Sequence, residues 1–101
     1  MKYINLTPHS ISMNDGTIHP PSGEVARVSV SFTSIVDGLC KQTFGEIENL
    51  PTPQPNTRYI VSGLVLSATN RVDVVAPATG HPETKRNDKG HIISVPCFVS
   101  H

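Results

Sequence analysis

The stretch that decides the fold is YIVSGLVLSATNRVDVVAP, which occupies residues 59–77. It begins with a run of β-forming residues at 59–61 and ends with a second apolar run at 72–76. Between these runs, the apolar residues of the segment 64–68 recur at three- and four-residue spacing, as on one face of a short helix. The pattern therefore predicts a strand, a short helix and a second strand.

The same pattern predicts where a ligand site would lie. If the two strands are parallel, Ser62 and Pro77 lie at the same sheet edge, just past the carboxyl ends of the strands. Open α/β sheets bind ligands at this edge. No P-loop and no GxGxxG motif is present, so we expect a site there without a recognisable catalytic signature.

Length and composition indicate one domain with a mostly β core. A chain of 101 residues leaves no room for a second core. Nine prolines and seven glycines require many turns, and β-branched residues outnumber strong helix formers. The prediction is one α+β domain over residues 1–101, mostly β, in which antiparallel hairpins form a small sheet or barrel around one short helix.

The longest hairpin is predicted in the first half of the chain. A strand at 24–36 is followed by Asp-Gly at 37–38, a dipeptide that favours the positive φ angles of a tight hairpin turn. A second strand then returns antiparallel over 39–50. Phe44 and Ile47 are the expected core anchors of that strand.

The charge balance restricts the class of partner. The chain carries 8 Lys plus Arg and 8 Asp plus Glu, so its formal net charge is zero. General nucleic-acid binders carry a basic excess on one face, so general nucleic-acid binding is not expected. A pocket for one small anion remains compatible with this balance.

No segment has the character of a membrane span or a secretory leader. A transmembrane helix needs about 18 or more consecutive apolar residues, and the chain has no such run. The N-terminal sequence MKYINLTPHS lacks the long apolar core of a signal peptide. The sequence therefore predicts a cytoplasmic protein without a membrane partner.

The cysteines and histidines do not form a recognisable metal pattern. Cys40 and Cys97 belong to no C-x-x-C pair, and we expect both to be reduced and buried within strands. The five histidines lack the spacing of helical or finger-type ligands. No metal and no cofactor is predicted.

Thr7, His9 and Ser62 are the first candidate ligand contacts. Pro8 bends the strand exit, so Thr7 and His9 would present a hydroxyl and an imidazole to phosphate or ribose oxygens. The alternative is a β-bulge in which His9 bonds a backbone carbonyl. Ser62 is expected to cap the short helix, with a ligand contact as the alternative; its flanking residues depart from the G-x-S-x-G elbow of a nucleophile.

Asn70, Arg71 and Asp73 form a second candidate group. Arg71 and Asp73 lie on one side of an extended segment, because side chains two residues apart share a face. We hypothesise that Arg71 is the main anion contact, since a guanidinium matches the oxygens of a phosphate. Asp73 would then orient Arg71 or bond a ribose hydroxyl. The alternative is an ion pair at or near the surface.

The polar segment at residues 78–86 supplies the third group. It carries His81, Lys85 and Arg86 and shows no hydrophobic periodicity. A loop of this length in a compact domain is often functional. The two open interpretations are a basic lid over a bound anion and an ordinary solvated loop.

Three segments resemble a group of small uncharacterised proteins from bacteriophages and prophages. They are INLTPHSI at 4–11, LPTPQPNTRYIVSGLVLSATNRVDVVAP at 50–77 and the closing hairpin. The group opens with I-N-L-T-P-H and carries Y-[IV]-V-S, a short helix and R-x-D-V-x-x-P. This chain has Glu-Asn-Leu-Pro at 48–51, where Gly-Leu-Pro is usual. The resemblance implies a phage accessory gene, and such proteins often act on host pathways, including antiviral signalling through nucleotides.

Together these observations predict a non-enzymatic binding protein. The leading hypothesis is that it binds and sequesters a small anionic host ligand, a nucleotide or cyclic nucleotide that serves as an immune signal. The alternatives are an interaction module for a host or virion protein and a small nucleotide-modifying enzyme. A small chain offers few pocket walls, so we expect a homo-oligomer, most simply a dimer, with strands such as 25–32 paired across subunits and the ligand site near the interface.

Overall fold

The computed structural model describes all 101 residues and contains ten strands and one helix. In chain order the elements are β1 (Lys2–Asn5), β2 (Ile11–Ser12), β3 (Ile18–His19), β4 (Arg27–Phe32), β5 (Gln42–Glu48), β6 (Thr57–Ile60), α1 (Gly63–Ser67), β7 (Val74–Pro77), β8 (Lys85–Arg86), β9 (Ile92–Ser94) and β10 (Phe98–Ser100). The predicted α+β class with a mostly β chain is confirmed. The strands form small sheets, and the barrel alternative is not adopted.

The central sheet has the strand order β1-β6-β7-β10. Strands β1, β6 and β7 are parallel, and β10 runs antiparallel to β7. The predicted strand–helix–strand unit is confirmed as β6, α1 and β7, so Ser62 and Pro77 do lie at the same sheet edge. The Ser62 hydroxyl caps α1 by accepting a hydrogen bond from the Val65 amide at 3.3 Å.

The two faces of the central sheet carry separate apolar clusters, because successive side chains of a strand alternate between faces. On the first face, Tyr59 and Val61 pack with Val65 of α1. On the second face, Ile60 and Val75 pack with residues from the β2 and β9 regions. Both faces of the sheet are therefore covered, one by the helix and the base of a hairpin and the other by short strands.

The hairpin formed by β4 and β5, here called the arm (residues 27–48), extends away from the sheet. Asp37 and Gly38 turn it with φ angles of 53° and 76°, as predicted for a hairpin turn with two positive φ angles. Every residue from 31 to 46 is exposed. The Cα radius of gyration is 15.3 Å, whereas about 13 Å is typical of a compact domain of this length.

The prediction that Phe44 anchors the core is wrong, because this residue is 38% exposed. Ile47 is half-buried and packs, together with its cross-strand partner Val28, against the cluster on the first face of the sheet. Only the base of the arm therefore touches the body of the domain. Further out, nothing packs against the apolar side of β5.

The prediction of buried cysteines is also wrong. Cys40 and Cys97 are both exposed free thiols, and neither lies within a strand. Cys40 follows the turn of the arm, and Cys97 lies in the short connection between β9 and β10. No disulfide joins the two cysteines, and the reduced state of the thiols stays a prediction.

The helix α1 has five residues, and no helix in the structure is long and apolar enough to cross a membrane. No group of three or more His, Cys, Asp or Glu side chains is arranged so that it could hold a metal ion.

Candidate functional site

The nine predicted site residues fall into three separate regions. One region lies past the carboxyl ends of the parallel strands, a second precedes the amino end of β7, and a third surrounds the β8–β9 hairpin. The structure therefore does not bring the nine residues together into one site. The three groups are Thr7, His9 and Ser62, then Asn70, Arg71 and Asp73, then His81, Lys85 and Arg86.

The first region is a cleft of about 430 Å³, here called the edge cleft. Thr7, His9 and Ser62 line it together with Pro77 and Thr79. These residues follow the carboxyl ends of β1, β6 and β7, which is where sheet topology predicts a ligand site. This grouping is the part of the predicted site that the structure assembles.

Most hydrogen-bonding groups at the edge cleft are occupied within the chain. The side chain of Asn5, which is 3% exposed, donates to the carbonyls of His9 and His19 at 2.8 and 2.9 Å. It also accepts from the amide and hydroxyl of Thr7 at 2.9 and 2.7 Å. The Thr7 hydroxyl thus holds the bend, while the Ser62 hydroxyl caps α1. The exposed His9 imidazole makes no hydrogen bond to a backbone carbonyl.

Arg71 and Asp73 form a side-on ion pair at the opposite end of the sheet. Arg71 Nε donates to Asp73 Oδ1 at 3.0 Å, and Arg71 Nη2 donates to Asp73 Oδ2 at 2.7 Å. Arg71 Nη1 donates to the Pro51 carbonyl at 2.9 Å. The mutual hydrogen bonds raise the pKa of Arg71 and lower the pKa of Asp73. The geometry is that of the ion-pair alternative, in which Arg71 ties the segment before β6 to the start of β7.

The third region contains a short strand, β8, which the sequence did not predict within the polar segment. Arg86 of β8 donates to the carbonyls of Thr79 at 2.9 Å and Gly90 at 3.0 Å. The His81 ring accepts from the Glu83 amide at 3.0 Å. Arg86 therefore braces the β8–β9 hairpin beside the edge cleft, whose wall includes Thr79.

The largest cleft, of about 640 Å³, lies on the second face of the central sheet and contains none of the nine predicted residues. Tyr3 of β1, Arg58 of β6 and Phe98 of β10 line it, and the β2–β3 hairpin contributes Asp15 and His19. We call it the aromatic cleft. Its position on a sheet face distinguishes it from the edge cleft.

Three aromatic rings meet at this cleft. The Tyr3 and Phe98 rings are stacked, with centroids 5.4 Å apart and planes inclined by 25°. The His19 ring lies 5.2 Å from Tyr3 and 5.5 Å from Phe98 and is tilted against both. All three residues are half-buried, so part of their ring surface is held by the protein and part is open to a ligand.

Two charged side chains of opposite sign accompany the rings. The exposed Arg58 donates from Nη1 to the Tyr3 hydroxyl at 3.2 Å, and its other guanidinium N–H groups have no acceptor in the chain. Asp15 accepts from the Thr17 amide at 2.9 Å, and this hydrogen bond lowers the pKa of its carboxyl group. The cleft therefore offers a cation with unused donors and an ionised acceptor beside an aromatic platform.

Sequence reasoning missed this cleft because its residues come from strands that are far apart in the chain. Tyr3 and Arg58 are register partners in the parallel pair β1–β6, so their side chains share a sheet face. Phe98 lies on β10 at the other side of β7. Strand alternation is the signal for this shared face, and it becomes usable only once the strand order is known.

Comparison with known proteins yields no match: no family model, no curated protein and no solved structure matches the chain. The resemblance to phage proteins stays a prediction from its motifs.

Proposed function

We propose that the protein binds a small anionic ligand with a flat aromatic ring, most simply a nucleotide or cyclic nucleotide, in the aromatic cleft. The observation that carries this proposal is the stacked pair Tyr3–Phe98 beside the exposed guanidinium of Arg58. The rings suit a base, and the guanidinium suits a phosphate. The proposal keeps the ligand class expected from the sequence and assigns it to a different cleft.

The aromatic cluster supports recognition of the base. Stacking of a base on an aromatic side chain contributes about 1–3 kcal/mol. The cleft volume of about 640 Å³ falls in the range of roughly 300–1,000 Å³ that is usual for ligand sites. Tyr3 and Phe98 already hold each other in the free protein, so binding would cost little side-chain ordering.

Arg58 supports recognition of the phosphate. Its hydrogen bond to the Tyr3 hydroxyl orients the guanidinium at the cleft while other donors remain unused. A guanidinium presents paired donors that match two phosphate oxygens. A carboxyl group with the ordinary pKa of 3.8 is already ionised at neutral pH, and the hydrogen bond from the Thr17 amide lowers the pKa of Asp15 further. Asp15 therefore serves as an acceptor for a ribose hydroxyl or an amino group of a base.

The biological proposal combines this cleft with the phage resemblance. A phage accessory protein that holds a nucleotide-derived immune signal in the host cytoplasm removes the signal by binding alone. Sequestration therefore requires affinity and no chemical step. We propose sequestration as the function, with ligand modification and binding of a protein partner as the rivals that the experiment separates.

Calorimetric titration with a panel of mononucleotides, dinucleotides and cyclic nucleotides tests the proposal. Arg58→Ala is expected to weaken binding by roughly 10- to 150-fold, because a charge-assisted hydrogen bond contributes roughly 1.5–3 kcal/mol. Lys89→Ala is the matched control, since it removes one positive charge from the exposed turn of the β8–β9 hairpin. The affinity of that control should equal the affinity of the unmutated protein.

Two results would overturn the proposal. If the unmutated protein binds no member of the panel, the interaction-module alternative takes its place. If mass spectrometry shows that the bound nucleotide is released in altered form, the enzyme alternative takes its place. Recovery of the intact nucleotide after denaturation of the complex supports sequestration.

A further inference from the structure

A second cleft, here called the side cleft, adjoins the aromatic cleft and has a volume of about 410 Å³. Tyr3 and His19 line both clefts. The rest of the side cleft is lined by β1 on one side and by Pro20, Pro21 and Ser22, which follow β3, on the other. The two clefts therefore meet at the Tyr3 and His19 rings, and a ligand held in one can extend into the other.

The side cleft lies along the free edge of the central sheet. Strand β1 is the end strand of that sheet, and the N–H groups that bond toward β6 include those of Lys2 and Leu6. Neighbouring residues of a strand direct their N–H and C=O groups to opposite edges, so those of Tyr3 and Asn5 point away from β6. The Asn5 carbonyl accepts from the Ser22 amide at 3.0 Å and from its hydroxyl at 2.7 Å. The Tyr3 N–H and C=O are left at the open part of the side cleft.

These groups give the side cleft the chemistry of a site for a second base. The N–H and C=O of one extended residue present a donor and an acceptor side by side. The edge of a base carries such a pair as well; in adenine the N6 amino group lies beside the N7 acceptor. The backbone of Tyr3 can therefore bond the edge of a base, while the His19 ring and the rigid rings of Pro20 and Pro21 supply flat surfaces.

Arg58 lies where a link between two bases would run. Its Nη1 donates to the Tyr3 hydroxyl at 3.2 Å, so the guanidinium lies at the outer end of a side chain that both clefts share. A guanidinium matches the oxygens of a phosphate. A molecule with two nucleosides joined by a phosphodiester carries this anion between its two bases.

We propose that the ligand is a dinucleotide, linear or cyclic, with one base in the aromatic cleft and the other in the side cleft. This inference rests on the proposed function and extends it from one base to two. The first base packs on Tyr3 and Phe98, the linking phosphate contacts Arg58, and the second base bonds the Tyr3 backbone. A mononucleotide fills the aromatic cleft alone and forgoes the contacts of the side cleft.

Calorimetric titration with three ligands of the same base composition tests the number of bases. The ligands are a mononucleotide, a linear dinucleotide and a cyclic dinucleotide, and the last two distinguish the linear form from the cyclic one. At least one dinucleotide is expected to bind about tenfold or more tightly than the mononucleotide, because a second packed base adds to the affinity.

The same titration separates failure of this inference from failure of the proposed function. If the mononucleotide binds as tightly as both dinucleotides, the second base site is overturned and the proposed function stands. If none of the three ligands binds, the proposed function is overturned together with the inference.

A variant of the side cleft provides the second test. Pro21→Gly removes one ring from the wall of the side cleft, and Pro21 does not line the aromatic cleft. This variant is expected to weaken dinucleotide binding about fivefold or more and to leave mononucleotide binding unchanged. Pro53→Gly, in the exposed linker before β6, is the matched control and should leave both affinities unchanged. Circular dichroism verifies that both variants are folded, and equal loss of affinity for the two ligands in Pro21→Gly would overturn the assignment.

Amide hydrogen exchange of Tyr3 tests the backbone contact directly. The dinucleotide is expected to slow this exchange, whereas the mononucleotide should leave it unchanged. The Ser22 amide, which already donates to the Asn5 carbonyl in the free protein, is the internal reference. If the Tyr3 amide exchanges equally fast in the free protein and in the dinucleotide complex, the second base does not occupy the side cleft.

Discussion

Arg71 turns the side of its guanidinium toward Asp73, so that two parallel hydrogen bonds join the cation to the carboxylate. A further donor reaches the Pro51 carbonyl, and the guanidinium lies 5.8 Å from the centre of the Tyr59 ring. The sequence makes Arg71 the first candidate for an anion contact, whereas the contacts support a structural role. The two interpretations predict different behaviour of the same variant.

Arg71→Ala is expected to lower the free energy of unfolding by about 1–3 kcal/mol, because Asp73 and the Pro51 carbonyl each lose a partner. It should leave the nucleotide affinity of the folded protein unchanged. Arg71→Lys should recover only part of the stability, since an ammonium cannot form two parallel hydrogen bonds with one carboxylate. Denaturant unfolding and calorimetry measure the two effects; a loss of affinity at full stability would restore Arg71 as a ligand contact.

The ion pair also predicts a dependence of stability on pH. Hydrogen bonds from Arg71 lower the pKa of Asp73 below its ordinary value of 3.8 and outweigh the opposing effect of burial. A lowered pKa in the folded state stabilises the protein above the unfolded-state pKa, and this contribution is lost as the pH falls through the folded-state value. The free energy of unfolding should therefore decrease below about pH 4.

Asp73→Asn should reduce that dependence, since the amide does not titrate. Asp88→Asn in the exposed turn of the β8–β9 hairpin is the control and should retain the slope of the unmutated protein. Denaturant unfolding at several pH values between neutrality and the acid limit measures both curves. If the free energy of unfolding had the same slope against pH for Asp73→Asn and for the unmutated protein, Asp73 would not be the source of the pH dependence.

Asn5 is expected to be among the most sensitive positions of the chain. Its buried side chain satisfies the carbonyls of His9 and His19 and both the amide and hydroxyl of Thr7. Asn5→Ala leaves these groups without their partner and should cost about 3 kcal/mol or more. Asn70→Ala replaces an exposed asparagine and should cost less than about 0.5 kcal/mol. Thermal unfolding measures the stability of both variants. Equal melting temperatures would contradict the structural role of Asn5.

The two cysteines provide a reporter and an internal control for the proposed nucleotide site. Cys97 lines the aromatic cleft, so a bound nucleotide should slow its reaction with a thiol reagent. Cys40 lies beside the tip of the arm, outside this cleft, so its reaction rate should be unchanged by the nucleotide. In the protein without ligand, both exposed thiols should react rapidly. Mass spectrometry resolves the labelling of each cysteine, and equal labelling rates of Cys97 with and without a bound nucleotide would contradict binding in the aromatic cleft.

Local patterns were sufficient to predict the centre of the fold. The apolar runs on either side of the short helix predicted β6, α1 and β7, and Ser62 was identifiable as a cap because a hydroxyl there can reach a free amide. The turn at Asp37 and Gly38 was predictable because few residues tolerate positive φ angles. In each case the deciding interactions lie within a few residues of one another.

Features that depend on distant segments were not predictable. The alternation of side chains along a strand places Phe44 on the apolar face. This alternation does not reveal whether a second layer of the protein covers that face. The aromatic cleft requires the register of Tyr3 with Arg58, which are 55 positions apart. Arg71 was correctly paired with Asp73 as an alternative, but its third contact, the Pro51 carbonyl, depends on the path of a proline-rich linker.

The parallel pairing of β1 with β6 has a consequence for the order of folding. Strand β1 pairs with a distant segment of the chain, since the register partner of Lys2 is Thr57. Pairing β1 with β6 therefore closes a long loop, and the entropy cost of closing a loop grows with its length. If the arm forms before β1 pairs with β6, local pairing brings Arg27 next to Glu48. The loop that remains to be closed between β1 and β6 is then effectively shorter. The folding rate should therefore be insensitive to removal of residues at the tip of the arm and sensitive to changes at its base.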